Sequence, residues 1–118
     1  MFTFQLASDD RFHFASKAIY RSDGFSRCGI LILTDKILYF GDVSAEFRIE
    51  IGLRSITALI TEILPEKWPP ISEKECLRIT EDKQYEFMLS GSGDSEIWKK
   101  KILQRPSTFH LHSKPDFL

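Results

Sequence analysis

The sequence predicts a mainly β fold with one C-terminal α-helix, a seven-stranded, partly open antiparallel barrel capped by that helix. Three observations lead there. Residues 29–40, GILILTDKILYF, put two short apolar runs around the polar hinge Thr34-Asp35-Lys36, the pattern of a hairpin with near-continuous apolar strands. Further strand-like segments recur along the chain at roughly 8–12-residue spacing, as in sandwiches and barrels. Only residues 95–104 carry convincing helical spacing, with Trp98 and Ile102 four apart.

At 118 residues the chain suits one domain with a core of useful size. The apolar share of 42% and charged share of 28% are those of a globular protein. Ten Phe residues suit a sheet packed against a covering element. A formal charge of −1 gives no global field for nucleic acid or an anionic membrane, so lipid or phosphate binding needs a local basic cluster. Cys28 and Cys76 read as reduced, buried small hydrophobes. The opening MFTFQLASDD lacks a basic start and a long apolar run, and no apolar stretch approaches ~18 residues, so a cytoplasmic protein without a span is expected.

In chain order, residues 1–6 alternate apolar and polar, and residues 17–21 read as a strand with Ala18 and Tyr20 on one side. A short helix over residues 8–14 competes for the opening. Residues 22–26 form a turn, because Asp23-Gly24 supplies the positive φ of a reversal. In the central hairpin, Asp35 is placed to bond its own backbone. Residues 43–46 are a polar loop, and 47–51 a half-buried strand with Phe47, Ile49 and Ile51 inward. Residues 55–64, rich in Ile and Thr, favour a strand. Pro65, Pro69 and Pro70 make residues 65–75 a loop carrying Trp68. Residues 76–80 and 84–89 form a second hairpin, with Tyr85, Phe87 and Leu89 facing one way. After the flexible Ser90-Gly91-Ser92-Gly93, Asp94 caps the helix, Ile97 and Leu103 flank its Trp98–Ile102 stripe, and Pro106 stops it. The helix plugs the barrel's open corner with Trp98, hiding an apolar rim.

This layout resembles the pleckstrin-homology superfold, and more closely its GRAM branch. The GRAM order appears as Gly29-Ile30-Leu31-Ile32-Leu33-Thr34, Leu38-Tyr39-Phe40, an Ile-bearing strand over residues 47–53, and Ser55-Ile56. Leu77-Arg78-Ile79 and Tyr85-Glu86-Phe87 match the following strands, and Ile97-Trp98-Lys99 is similar to the tryptophan helix that closes such domains. The resemblance covers about residues 17–105. It implies a PH/GRAM-like domain over 1–105, core about 16–105, with 106–118 a C-terminal tail expected to be mobile. It also implies a binding module for phosphoinositides, other membrane lipids or proteins.

Lipid-binding members use basic residues on the first two strands and their loop, which here are Lys17, Arg21 and Arg27. Three cations around one loop suit a multiply charged headgroup, and an exposed Phe25 at the tip inserts into a membrane or a partner, or packs back on the sheet. The usual tight basic-x-Arg pair is missing, and Asp23 sits in the loop. Trp68, rigid between prolines, and the helix cations Lys99 and Lys100 are the protein-binding candidates, although lysines near a helix end are also expected on dipole grounds. His13, His110 and His112 lack supporting metal-ligand spacing, so no metal is expected. No nucleophile sits on a recognisable elbow, and Ser90-Gly91-Ser92-Gly93 lacks the lysine of a phosphate loop. The expectation is a noncatalytic domain without cofactor, a protein-binding adaptor first and an anionic-lipid-binding, membrane-peripheral module second.

Overall fold

A computed structural model describes residues 6–22, 24–44, 46–65, 73–89 and 93–112. Strands β1 (Phe12–Ser22), β2 (Phe25–Thr34), β3 (Ile37–Asp42), β4 (Arg48–Gly52), β5 (Ala58–Pro65), β6 (Glu73–Thr80) and β7 (Gln84–Leu89) form one antiparallel sheet. Its order is β4-β3-β2-β1-β7-β6-β5, so β4 and β5 are its two ends. A 3-10 turn, Leu53–Ser55, joins them. Helix α1 (Asp94–Leu103) is followed by a second 3-10 turn, Pro106–Thr108, and a short helix, α2 (Phe109–His112). No helix among the described residues is long and apolar enough to cross a membrane.

Local chemistry sets the two central reversals. Between β1 and β2, Gly24 adopts φ +86°, a conformation that side-chain-bearing residues rarely take. Between β2 and β3 the turn is organised by Thr34 rather than by Asp35, as the sequence suggested. The fully buried Thr34 hydroxyl accepts the Ile37 N–H at 3.0 Å and donates to Asp10 Oδ2 at 2.7 Å. Asp35 instead receives its contacts from His13, Arg11 and Arg105. The same anchor explains why no helix forms over residues 8–14. The Asp35 N–H donates to Arg11 O at 2.9 Å, drawing the chain alongside the turn so that β1 starts at Phe12.

The core follows the alternation of the strands. Leu31, Leu33, Leu38, Phe40, Ile49, Ile51, Leu77, Ile79, Tyr85, Phe87 and Leu89 all point inward. Phe47, just ahead of β4, is only partly buried and packs on the core's edge. Gly29 is required by close packing: a Cβ there would stand 2.2 Å from Gly41 O and 2.8 Å from the Phe40 ring. Cys76 is buried, with burial pushing its thiol up to about 12, whereas Cys28 is exposed, contrary to the sequence expectation. Cys28 pairs with Ile19 on β1, a position outside the core, and both cysteines are free.

Strand β1 pairs with β2 along its length but with β7 only from Ile19 to Arg21. Ahead of Ile19 the two strands part, and α1 fills the fork. Trp98, 1% exposed, donates its indole N–H to Ser16 Oγ at 2.9 Å and meets Phe14 edge-on at 4.8 Å. Ile102 is buried one turn later, while Ile97 is 43% exposed and does not join the apolar stripe. The helix start is capped by Glu75 of β6, not by Asp94, which is the first helical residue. The buried Glu75 carboxylate accepts the N–H of Gly93 at 2.6 Å, the N–H of Ser95 at 2.9 Å and the Ser95 hydroxyl at 2.7 Å. These bonds, that from Gly93 foremost, hold the Glu75 carboxyl below the usual carboxylate range.

Pro106 ends α1, but the segment read as a tail folds back as far as residue 112. Thr108 is fully buried, its hydroxyl 2.7 Å from Ile102 O and 2.8 Å from Arg105 O. Leu111 packs on the core, and His110 Nε2 lies 2.6 Å from Ile56 O, tying the segment to the 3-10 turn after β4. Ile and Thr at 55–57 were read as the start of β5. The strand instead starts at Ala58, just after them: Ile56 closes the turn in extended backbone and is fully buried, and the Thr57 N–H donates to Thr80 O of β6 at 2.7 Å.

Removing the ring that fills the fork, Trp98→Ala, is expected to cost about 3–5 kcal/mol in chemical denaturation, with Trp98→Phe milder. Glu75 has a lowered folded-state pKa, so its contribution is full above the ordinary carboxylate range and disappears as pH falls through the folded value. Glu75→Ala should therefore lose about 1–2 kcal/mol at pH ~7, and the gap to the parent protein should narrow as the pH falls below the ordinary carboxylate range. A pH-independent gap in urea titrations would contradict the cap.

Candidate functional site

In an antiparallel pair, residues directly opposite one another share a face. The register Tyr20↔Arg27 and Ser22↔Phe25 therefore puts Arg27 and Phe25 on the face that carries the core. Lys17 and Arg21, each an odd step from Tyr20, lie on the outer face. The three cations read as one cluster are thus divided between two faces.

At the mouth of the barrel, Phe25, Phe47, Tyr20, Phe40, Tyr85 and Phe87 form a continuous ring cluster around Tyr20, whose centroid lies 5.4 Å from Phe47 and 5.6 Å from Phe87. Phe25 keeps 44% exposure but rests on Tyr20 and Phe47 at 6.0 and 6.1 Å. The Arg27 guanidinium sits over the Phe25 and Phe47 rings at 5.8 and 5.3 Å and bonds Asp42 Oδ2 at 3.1 Å. Asp42 is buried, and it also accepts the Ser44 hydroxyl and the N–H groups of Glu46 and Phe47. Burial pushes its carboxyl upward, but these bonds outweigh it and hold the group below its ordinary value. Arg27 is accordingly ion-paired with Asp42 on top of the aromatic cluster, its side chain still 43% exposed.

On the outer face, Arg21 lies 3.4 Å from Glu86 Oε1. Arg78 bridges Glu86 at 2.9 Å and Glu62 at 2.6 Å. The result is an alternating ladder, Arg21–Glu86–Arg78–Glu62, across β1, β7, β6 and β5, along a polar notch of about 420 Å³ lined by Tyr20, Arg21, Ser22, Arg78, Gln84 and Glu86. Partly exposed pairs add little stability, yet they cancel most of the local charge. Lys17 is exposed on the same face.

Among the protein-binding candidates, Trp68 lies outside the described residues. Lys100 is exposed and Lys99 half-buried on α1, and with Glu96, Leu103 and Gln104 they line a shallow groove of about 290 Å³. Beside that helix lies a feature that sequence reasoning did not single out: β5, the last strand of the sheet, exposes Ile60 and Ile63. Thr61 of β5 bonds Glu96 of α1 at 2.5 Å, and exposed Ile97 follows on the helix. Ile60 and Ile63 lie three residues apart and so on opposite faces of the strand, and the strand order needed to place them at an edge was not legible in the sequence.

His13 is held by local chemistry, and the side chain of His112 lies outside the described structure. His13 Nε2 contacts Asp35 Oδ1 at 2.5 Å, Arg105 lies against its ring, and the His13 bond foremost lowers the Asp35 carboxyl. Among the described residues no group of three His, Cys, Asp or Glu is placed to hold a metal ion.

No protein-family model matches the chain, and no curated protein matches it in sequence. Solved structures do match. The C-terminal domain of an unknown protein from Leishmania infantum superposes with TM-score 0.60 at 14% identity, over 80% of this chain and 84% of that one. The hSac2 domain of the human phosphoinositide phosphatase Sac2 gives 0.55 at 13% identity, over 92% and 76%. The Vps36 N-terminal PH domain gives 0.61 at 9% identity, over 93% and 87%. At these identities the likeness concerns the fold alone: seven antiparallel strands closed by a C-terminal helix, the pleckstrin-homology-like fold.

Proposed function

We propose that this domain is a noncatalytic, GRAM-type interaction module of the cytoplasm that binds a protein partner, acting as an adaptor or scaffold. The observation that carries the reading is the β5 edge, which ends the sheet with Ile63 57% exposed, Ile60 also exposed, and Ile97 of α1 alongside. A strand edge offers unpaired backbone donors and acceptors to an extended segment, and the flanking Ile side chains supply the apolar contact that gives such pairing affinity. Pro65 ends the strand, and ahead of it neither Lys nor Pro interrupts the edge between Ala58 and Leu64, although natural sheets commonly use them to suppress unwanted pairing.

A membrane-targeting reading has one favourable observation, the exposed Phe25 ring at the β1–β2 tip. It is weakened by the pairing of Arg21 with Glu86 and of Arg27 with Asp42, which leaves Lys17 to supply the charge.

Placing lysines on the edge, Ile60→Lys with Ile63→Lys, should leave the unfolding free energy in urea within about 0.5 kcal/mol of the parent, since both sites are exposed. In affinity capture from a native extract the double variant should lose the proteins that the parent domain retains. An unchanged retained set would remove β5 as the docking edge. Sedimentation with phosphoinositide-bearing vesicles at low and high salt separates the two readings. Little salt-sensitive pelleting is expected here, and strong pelleting abolished by Phe25→Asp would establish the membrane reading instead.

A further inference from the structure

The fork between β1 and β7 has two sides. Trp98 fills the inner one. On the outer side lies a groove of about 400 Å³, lined by Lys17, Ile19, Cys28, Ile30, Val43 and Met88. Cross-strand pairing explains its composition. Met88 pairs with Ile19 and Ile19 with Cys28, and Val43 donates its N–H to Cys28 O at 3.2 Å. These contacts set an apolar row across four neighbouring segments of an outer face, where a barrel ordinarily presents polar side chains. Ile30 and Lys17 form the adjacent row, again as a direct pair. Val43 stands 73% exposed at one end.

The geometry points to a binding site for the acyl chain of a single-chain anionic amphiphile, its chain along Met88, Ile19, Ile30 and Val43 and its acidic head on Lys17. The volume falls within the ~300–1,000 Å³ of ligand clefts, which combine an apolar lining with a few polar groups that fix orientation. Charge decides the sign of the head. Among the described residues Lys17 is the one charged group of the lining, while the neighbouring acid Glu86 is already engaged by Arg21 and Arg78. A carboxylate or phosphate head therefore gains an ion pair at the rim, and a cationic head gains none. The site is separate from the β5 edge and does not depend on the protein-binding reading.

The two thiols supply the test. Cys28 is exposed in the groove and Cys76 is buried beside Met88 on the next strand, so alkylation with N-ethylmaleimide followed by mass spectrometry reports the groove at one site and opening of the sheet at the other. The probes are oleate, lysophosphatidic acid and lysophosphatidylcholine, each below its micellar concentration. At about ten times Kd, oleate or lysophosphatidic acid should slow Cys28 alkylation about tenfold while Cys76 stays unmodified. Protection by oleate and lysophosphatidic acid alike makes the acidic head the shared requirement, and protection by one of them assigns the carboxylate or the phosphate. Lys17→Glu should remove the protection. Val43→Asp, at an exposed turn position that folding does not need, should do the same by placing an acid in the groove. Equal protection by lysophosphatidylcholine, no protection by any probe, alkylation of both thiols on adding amphiphile, or a Cys28 already unreactive in the free protein would each overturn the proposal.

Discussion

The hydrogen bond from the Trp98 indole to Ser16, inside the fork where β1 leaves β7, is the contact on which the closure of this barrel depends. A seven-stranded sheet whose end strands β4 and β5 do not pair cannot close by backbone bonds alone. A large ring on a separate element must occupy the gap, and its one polar atom must find a partner once buried. Helix α1 meets both conditions because it is fastened along its length. Glu75 holds its first turn, Trp98 and Ile102 its middle, and Arg105 with Asp35 and His13 its end. The returning segment through α2 then covers the C-terminal carbonyls by way of Thr108.

That mode of closure shapes the surface. Helix α1 seals the fork and packs beside β5, which among the described residues ends the sheet with a helix wall next to it. On the opposite side of the fork the strands stay parted and leave the apolar groove. The charges follow another logic. Acids and bases on the outer face are spent on one another in the Arg21–Glu86–Arg78–Glu62 ladder, and Arg27 serves Asp42. A domain of net charge −1 arranged in this way presents shape and apolar contact more than it presents a field.

Much of the fold was legible in the chain because its signals are local. The 29–40 hairpin, the alternation of Tyr85, Phe87 and Leu89, and the four-residue spacing of Trp98 and Ile102 each need only their own segment to be read. What was not legible depends on partners far apart in sequence. Glu75 caps a helix twenty residues downstream of it, a role that the acidic Asp94 masks. Arg27 looks like a loop cation until the register turns it toward Asp42. Cys28 has the composition of a core residue but an outward position, and the segment after Pro106 has tail-like polarity yet buries Thr108. The β5 edge became visible only with the strand order, since an Ile-rich strand reads alike at the centre and the end of a sheet.

Native-state hydrogen exchange followed by NMR tests the whole account in one experiment, because closure by α1 and the open β5 edge are read from the same spectra. The Trp98 indole N–H should exchange as slowly as the most protected amides of β2 and β3, showing that the fork opens only with the whole domain. Every second amide of β5, those turned away from β6, should exchange far faster than its neighbours. A fast Trp98 indole would mean that the helix does not close the barrel, and β5 amides protected on both sides would mean that its edge is already covered.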